Sequence, residues 1–293
     1  MWRCFLPLFI LIATPVAAYN DTKWISVPAT SRKKLVARAQ TRTNATQKVT
    51  ETIPAIIGGT PAGNNEFPWF GRTEIVTADS FGNFNIGSCG ASLIHRDIAV
   101  SAAHCIVDSI RDGYDFAITF YLGANEYDGT DGIELEVASA VYPTNYDFPI
   151  NDMVFYKLQT ATNVNPVSWN NNALTPLDGD VGTAIGFGLT SDDGDESSIL
   201  LKVDLPAITT SECINFYGPD GVPDSITCVF DEDLEKSICQ GDSGGPIITE
   251  NGVLYGVTSF SGTTCGATPS GFTRTSFFTD FMSKVSTWFG LFK

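Results

Sequence analysis

Positive charge is scarce in this chain, and so is histidine. Its 293 residues hold 17 Lys and Arg against 33 Asp and Glu, a formal net charge of −16, with two histidines. Seven of the basic residues (Lys23, Arg32, Lys33, Lys34, Arg38, Arg42, Lys48) fall in residues 19–55 with only Asp21 and Glu51. From Ile56 onward nine basic residues therefore face thirty-one acidic ones. A surface that acidic repels nucleic acid and anionic membrane, which removes both as partners; solubility in a protein-rich secreted fluid is reason enough for the charge. Two histidines and no Cys-x-x-Cys pair argue against a zinc site. Long apolar runs are also lacking. The run Phe5 to Ile12, after Arg3 and before Val16-Ala17-Ala18, falls short of the roughly 20 residues that a bilayer requires. It reads as a secretory signal over residues 1–18, cut after Ala18, and implies a secreted, extracellular protein without a membrane anchor.

Seven cysteines are present, and loss of Cys4 with the signal leaves six, an even number in an exported chain. Three disulfides follow, with 15 pairings open. At 43% hydrophobic and 17% charged residues the chain can bury a large core. Residues 19–55, rich in Thr, Ala, Lys and Arg and holding the acceptor sequons at Asn20 and Asn44, read as a flexible propeptide. From Ile56 the texture changes to short apolar and β-branched runs between Gly, Asn, Asp and Pro: 97–101, 116–122, 153–158, 184–187 and 253–259. Such spacing predicts an all-β fold, sandwich or barrel. A helix is predicted at the end, where Phe277, Phe278, Phe281, Met282, Val285, Trp288, Phe289 and Phe292 recur every three or four residues. Its polar face lacks the Lys and Arg of a membrane-surface helix, so it should pack on the core.

Three strings can carry chemistry. In Gly241-Asp242-Ser243-Gly244-Gly245-Pro246, glycines on both sides of Ser243 permit a tight turn that exposes the hydroxyl and aims the amides of Gly241 and Ser243 into one small space. Ser101-Ala-Ala-His104-Cys105 offers a histidine among small residues, whereas His95 sits in the polar turn Ile94-His-Arg-Asp97 and suits a solvated role. Asn151-Asp152 opens the apolar strand Met153-Val-Phe-Tyr-Lys-Leu158, although composition alone does not single out this aspartate.

Taken together and in this order, the strings resemble the trypsin/chymotrypsin family. Ile56-Ile57-Gly58-Gly59, Cys89-Gly-Ala-Ser-Leu-Ile94, Ser259-Phe-Ser-Gly262 and Pro269-Ser-Gly-Phe-Thr-Arg274 extend the likeness over the region from Ile56 to the final helix, read as a protease domain of residues 56–293. The resemblance implies two antiparallel six-stranded β-barrels with the active site between them and a C-terminal α-helix. It implies a serine endopeptidase with Ser243 as nucleophile, His104 as base, Asp152 as its orienting acid, and the amides of Gly241 and Ser243 as the oxyanion hole. It pairs Cys89 with Cys105, Cys213 with Cys228, and Cys239 with Cys265. Cleavage between Ala55 and Ile56 would release an ammonium that pairs with Asp242. Ser259 would bind the substrate backbone, Ser237 would form the base of the primary pocket, and Ser261 and Ser270 its walls.

The chain also departs from the family pattern: Phe260, counted among the substrate-binding residues, and Phe187 occupy positions where relatives usually carry tryptophan, and both retain an aromatic wall. Ala124 replaces a glutamate ligand of calcium-binding relatives, so neither metal nor cofactor is expected. The uncharged pocket implies a chymotrypsin-like preference for Phe, Leu, Met or Tyr. Elastase-like taste for small residues is the alternative, and a catalytically silent binding module or a regulatory protease are the rival roles. Expected partners are protein or peptide substrates, an activating protease and protein inhibitors, with the enzyme itself a monomer.

Overall fold

The computed structural model describes residues 24–35, 56–81, 83–170, 176, 178–189, 191 and 194–284. Among these residues fourteen strands form two sheets. The first contains β1 (Trp24–Pro28), β3 (Phe70–Ala78), β4 (Phe84–His95), β5 (Ile98–Ser101), β6 (Asp115–Leu122), β7 (Ile133–Pro143) and β8 (Val154–Leu158), ordered β1-β7-β6-β3-β4-β5-β8. Pairing of β7 with β8 closes six of them into an antiparallel barrel and leaves β1 as an addition. The second contains β2 (Thr60–Pro61), β9 (Val181–Gly186), β10 (Leu201–Ile208), β11 (Ile226–Val229), β12 (Pro246–Thr249), β13 (Leu254–Phe260) and β14 (Ser270–Arg274). Its order is β11-β14-β13-β12-β9-β10-β2, closed by β11 with β10. The expected pair of six-stranded barrels is therefore present, each with one further edge strand.

Closure removes the exposed edges that short strands would otherwise present, and alternation fills each interior. On β8, Val154, Phe155 and Tyr156 are wholly buried: Val154 and Tyr156 face the first barrel's core, while Phe155 joins a cluster that also holds Ile185, Leu254 and Val257 of the second. That shared cluster joins the barrels. Glycine allows a close approach between them, since a Cβ on Gly90 would stand 2.7 Å from the Gly245 Cα.

The three expected disulfides are formed: Cys89–Cys105, Cys213–Cys228 and Cys239–Cys265. Cys213 lies on the helix Thr210–Gly221, which begins with a capping box between Thr209 and Glu212 and is interrupted at Gly218, before Pro219. The C-terminal helix begins as a 3-10 turn over Thr275–Phe278 and an α turn over Thr279–Met282, with Phe278, Phe281 and Met282 buried in the shared cluster. Its expected continuation through Phe292 lies outside the described residues, as do residues 1–18, read as a signal, and Ala55, read as the residue before the activation cut.

One expectation is corrected. Residues 24–35, read as part of a flexible propeptide, are ordered: Trp24–Pro28 is strand β1, paired with Ser139–Pro143, and Leu35 is 1% exposed. The reason is apolar burial that bulk composition concealed. Trp24, Ile25 and Val27 pack on the cores, and Leu35 completes a small cluster with Val76, Ala78 and Ala117.

Candidate active site

His104 sits in the 3-10 turn Ala103–Cys105 that follows β5, and the Cys89–Cys105 bond anchors that turn to β4. Asp152 immediately precedes Met153 and β8 and is fully buried. Its Oδ1 accepts from the His104 backbone N–H at 2.8 Å, and its Oδ2 accepts from the ring Nδ1–H at 2.8 Å. The Ser259 hydroxyl donates to the same Oδ2 at 2.6 Å. Three donors thus compensate a carboxylate that burial would otherwise penalise. Burial disfavours the His104 imidazolium, but the Asp152 charge and hydrogen bond outweigh it and hold the ring's pKa above the ordinary histidine value. With Nδ1 committed to Asp152, Nε2 is left to handle a proton.

Ser243 arrives from the second barrel. Its carbonyl accepts from Gly90 N at 2.7 Å, and Gly244 N donates to Thr258 O at 2.9 Å. Gly244, at φ +75°, lies so close to the histidine segment that a Cβ would stand 2.2 Å from Ser101 Oγ and 3.2 Å from Ala102 N. Only glycine permits this, and the contact brings Ser243 beside the residues leading into His104. Gly241 has φ +94°. Among the hydrogen bonds of the described residues, the N–H groups of Gly241 and Ser243 have no partner, so both are available to an incoming oxygen.

The turn is held from behind by Asp242. Its carboxylate, 1% exposed, accepts from Gly188 N at 2.8 Å and Cys239 N at 2.9 Å. Burial pushes its pKa up to about 7 despite those amides, with the Glu196 charge adding to the rise. Among the described residues no ion pair reaches it. Ile56 is 1% exposed, and its neighbour Ile57 bridges Ser237, whose N–H donates to Ile57 O at 3.2 Å.

Ser237 and Ser270 are each 3% exposed, and their hydroxyls approach to 3.4 Å, the Ser237 hydroxyl donating to Ile238 O at 2.7 Å. Ser261 is half-buried beyond Phe260. The Phe260 ring lies over Gly271, where a Cβ would come within 2.3 Å of it. Sequence reasoning missed two aromatic neighbours. The Tyr217 ring meets Phe260 edge-on at 5.1 Å, and the half-exposed Phe148 meets Phe260 at 6.5 Å and the His104 ring at 5.6 Å. Neither belongs to a periodic string, and only the proximity of Phe148 to Asp152 and of Tyr217 to Gly218 in sequence could have drawn notice. Phe187 is buried against Phe70 and Tyr127 rather than standing free as a wall.

The loop after Gly123 is organised by Asp131, whose carboxylate accepts from Asn125 N and Glu126 N at 3.0 and 3.1 Å, with Ala124 buried beside it. The Cys89, His104 and Cys105 side chains lie together, but the two sulfurs are bonded to each other.

Residues 56–282 match the trypsin family model. The chain is 30% identical to Trypsin-1 of Astacus astacus over 78% of this chain and 98% of that one. It is 32% identical to Brachyurin of Leptuca pugilator over 78% and 96%. Among solved structures, HL collagenase superposes with a TM-score of 0.66 at 26% identity, covering 79% of this chain and 99% of that one. Catalytic-type geometry, paired barrels and kinship agree, and the chain belongs to the trypsin family of serine endopeptidases.

Proposed function

We propose that this is a secreted proenzyme whose active form cleaves proteins by an acyl-enzyme mechanism with chymotrypsin-like specificity. Ser243 Oγ attacks the scissile carbonyl as its proton passes to His104 Nε2. The amides of Gly241 and Ser243 receive the developing oxyanion, a single donor of this kind lowering the barrier by about 3 kcal/mol. His104 returns the proton to the departing amine, and water, deprotonated by the same ring, hydrolyses the ester. Asp152 fixes the tautomer and stabilises the imidazolium. The observation that carries this reading is the His104–Asp152 pair, held with Ser259 beside a turn that offers two unpartnered amides.

Activation follows from Asp242. A buried carboxylate without a cation is costly, and an ammonium released at Ile56 by cleavage after Ala55 would relieve it, since leaving one half of a buried ion pair alone costs about 3–5 kcal/mol. Pro54-Ala55 offers trypsin no basic residue, so an elastase-like or chymotrypsin-like enzyme is the activator.

Specificity rests on Ser237, Ser261 and Ser270. A substrate Arg or Lys would bury its cation without a partner, whereas an apolar side chain gains roughly 1.5–3 kcal/mol from burial. The close Ser237–Ser270 approach favours a narrowed slot, and hence Leu, Met and Phe over larger rings. It also supports the second reading, a preference for Ala or Val. The test compares kcat/KM on peptide amides differing only in Phe, Leu, Ala or Arg before the scissile bond. Phe or Leu is expected to lead and Arg to trail; a leading Arg refutes the pocket assignment, and a leading Ala selects the elastase-like reading.

A further inference from the structure

Strand β1 lies outside the family match, which begins at Ile56, yet it is added to the first barrel's wall along β7. β6 pairs with β7 only through Thr119–Leu122 and Ile133–Glu136, so the two strands splay beyond that point. Trp24–Pro28 occupies the seam, in register with Ser139–Pro143. The chain then crosses from β7 to β6: Ala29 N donates to Ala138 O at 2.9 Å and Thr30 N to Phe116 O at 2.7 Å. Arg32 pairs with Glu74 on β3, and the buried Leu35 packs on Val76 and Ala78 of β3 and Ala117 of β6. At the other end Trp24 stacks on Phe281 at 3.6 Å, with edge contacts to Phe155 at 5.7 Å and Phe278 at 6.1 Å.

This is β-augmentation by a segment with an aromatic anchor at one end and an aliphatic one at the other. Ala55 lies 20 residues beyond Leu35, and no cysteine falls between residues 19 and 55, so a cut before Ile56 would neither strip these contacts nor leave a covalent tether. We propose that residues 24–35 stay docked on the activated enzyme as a non-covalent strand in the β6–β7 seam, joining the first barrel to the C-terminal helix. The proposal rests on the activation cleavage put forward above.

The test uses the chain from residue 19 carrying Ser243→Ala, with a site for a sequence-specific protease replacing residues 47–54. After cutting, the amino-terminal fragment should co-elute with the body in native gel filtration and separate in denaturant. With Trp24→Ala, or the milder Leu35→Ala, its apparent Kd should weaken at least tenfold. Free elution of the unsubstituted fragment, or equal retention of both variants, would overturn the proposal. Amino-terminal sequencing of the naturally activated enzyme decides the other question: a terminus other than Ile56 contradicts the activation reading and leaves the docking result to stand by itself.

Discussion

At the scale of single residues, the two buried carboxylates of the site are treated in opposite ways. Asp152 has three donors, two of them on His104 and the third the Ser259 hydroxyl; Asp242 has two amides and, among the described residues, no cation. Each difference has a pH signature. As the proposed base His104 must be neutral, so activity should rise with pH through a histidine pKa held above its ordinary value. Asp152→Asn removes the opposing charge and should shift the acid limb of the kcat/KM profile downward. It should also cut kcat about 10⁴-fold, the loss known for this substitution in the family's reference enzyme. An unmoved limb would sever the link between Asp152 and His104.

For Asp242 the folded pKa is raised from 3.8 to about 7. The folded state then binds the proton more tightly than the unfolded chain, so this group's stabilisation is full below 3.8 and declines as pH rises to about 7. Denaturant unfolding of uncut Ser243→Ala protein should show that decline, and Asp242→Asn should abolish both the decline and, in the otherwise native enzyme, activity. A uniform stability between those pH values would contradict the uncompensated carboxylate.

At the scale of elements, strands with unbroken apolar runs were legible: the readings at 97–101, 116–122 and 153–158 meet β5, β6 and β8 within a residue. The histidine, aspartate and serine strings were legible through resemblance, since nothing intrinsic to Asp152 separates it from thirty other acids of the region. Strand β1 was not. Its Trp-Ile-Ser-Val alternation is four residues long amid Lys, Arg and Thr, and pairing with a distant seam decides its state. Phe148 and Tyr217 escaped for a similar reason, because their roles arise from convergence of separate loops. The Cys89–Cys105 bond closes a loop of 16 residues across β4 and the histidine turn. Replacing both cysteines with alanine should lower unfolding stability by about 3 kcal/mol on a chain-entropy basis. Calorimetry finding no loss would show the turn to be held by packing alone.

At the scale of the whole molecule, the site exists because two barrels share one core. His104 and Asp152 belong to the first, Ser243 and Ser259 to the second, and the cluster of Phe155, Ile185, Leu254, Val257 and Phe281 fixes their relative position. Aromatic rings from the C-terminal turn and from Trp24 extend that cluster to both ends of the described chain. No helix of the described residues is long and apolar enough to cross a membrane. The proposed catalysis rests on Ser243 as the nucleophile that this shared core presents to His104. Its most direct test is treatment of the activated enzyme with a fluorophosphonate, followed by mass mapping of the adduct. A single phosphonyl group on Ser243, with labelling absent and peptide hydrolysis reduced about 10⁶-fold in Ser243→Ala, is the predicted result; an adduct on another residue, or hydrolysis that survives the substitution, would contradict it.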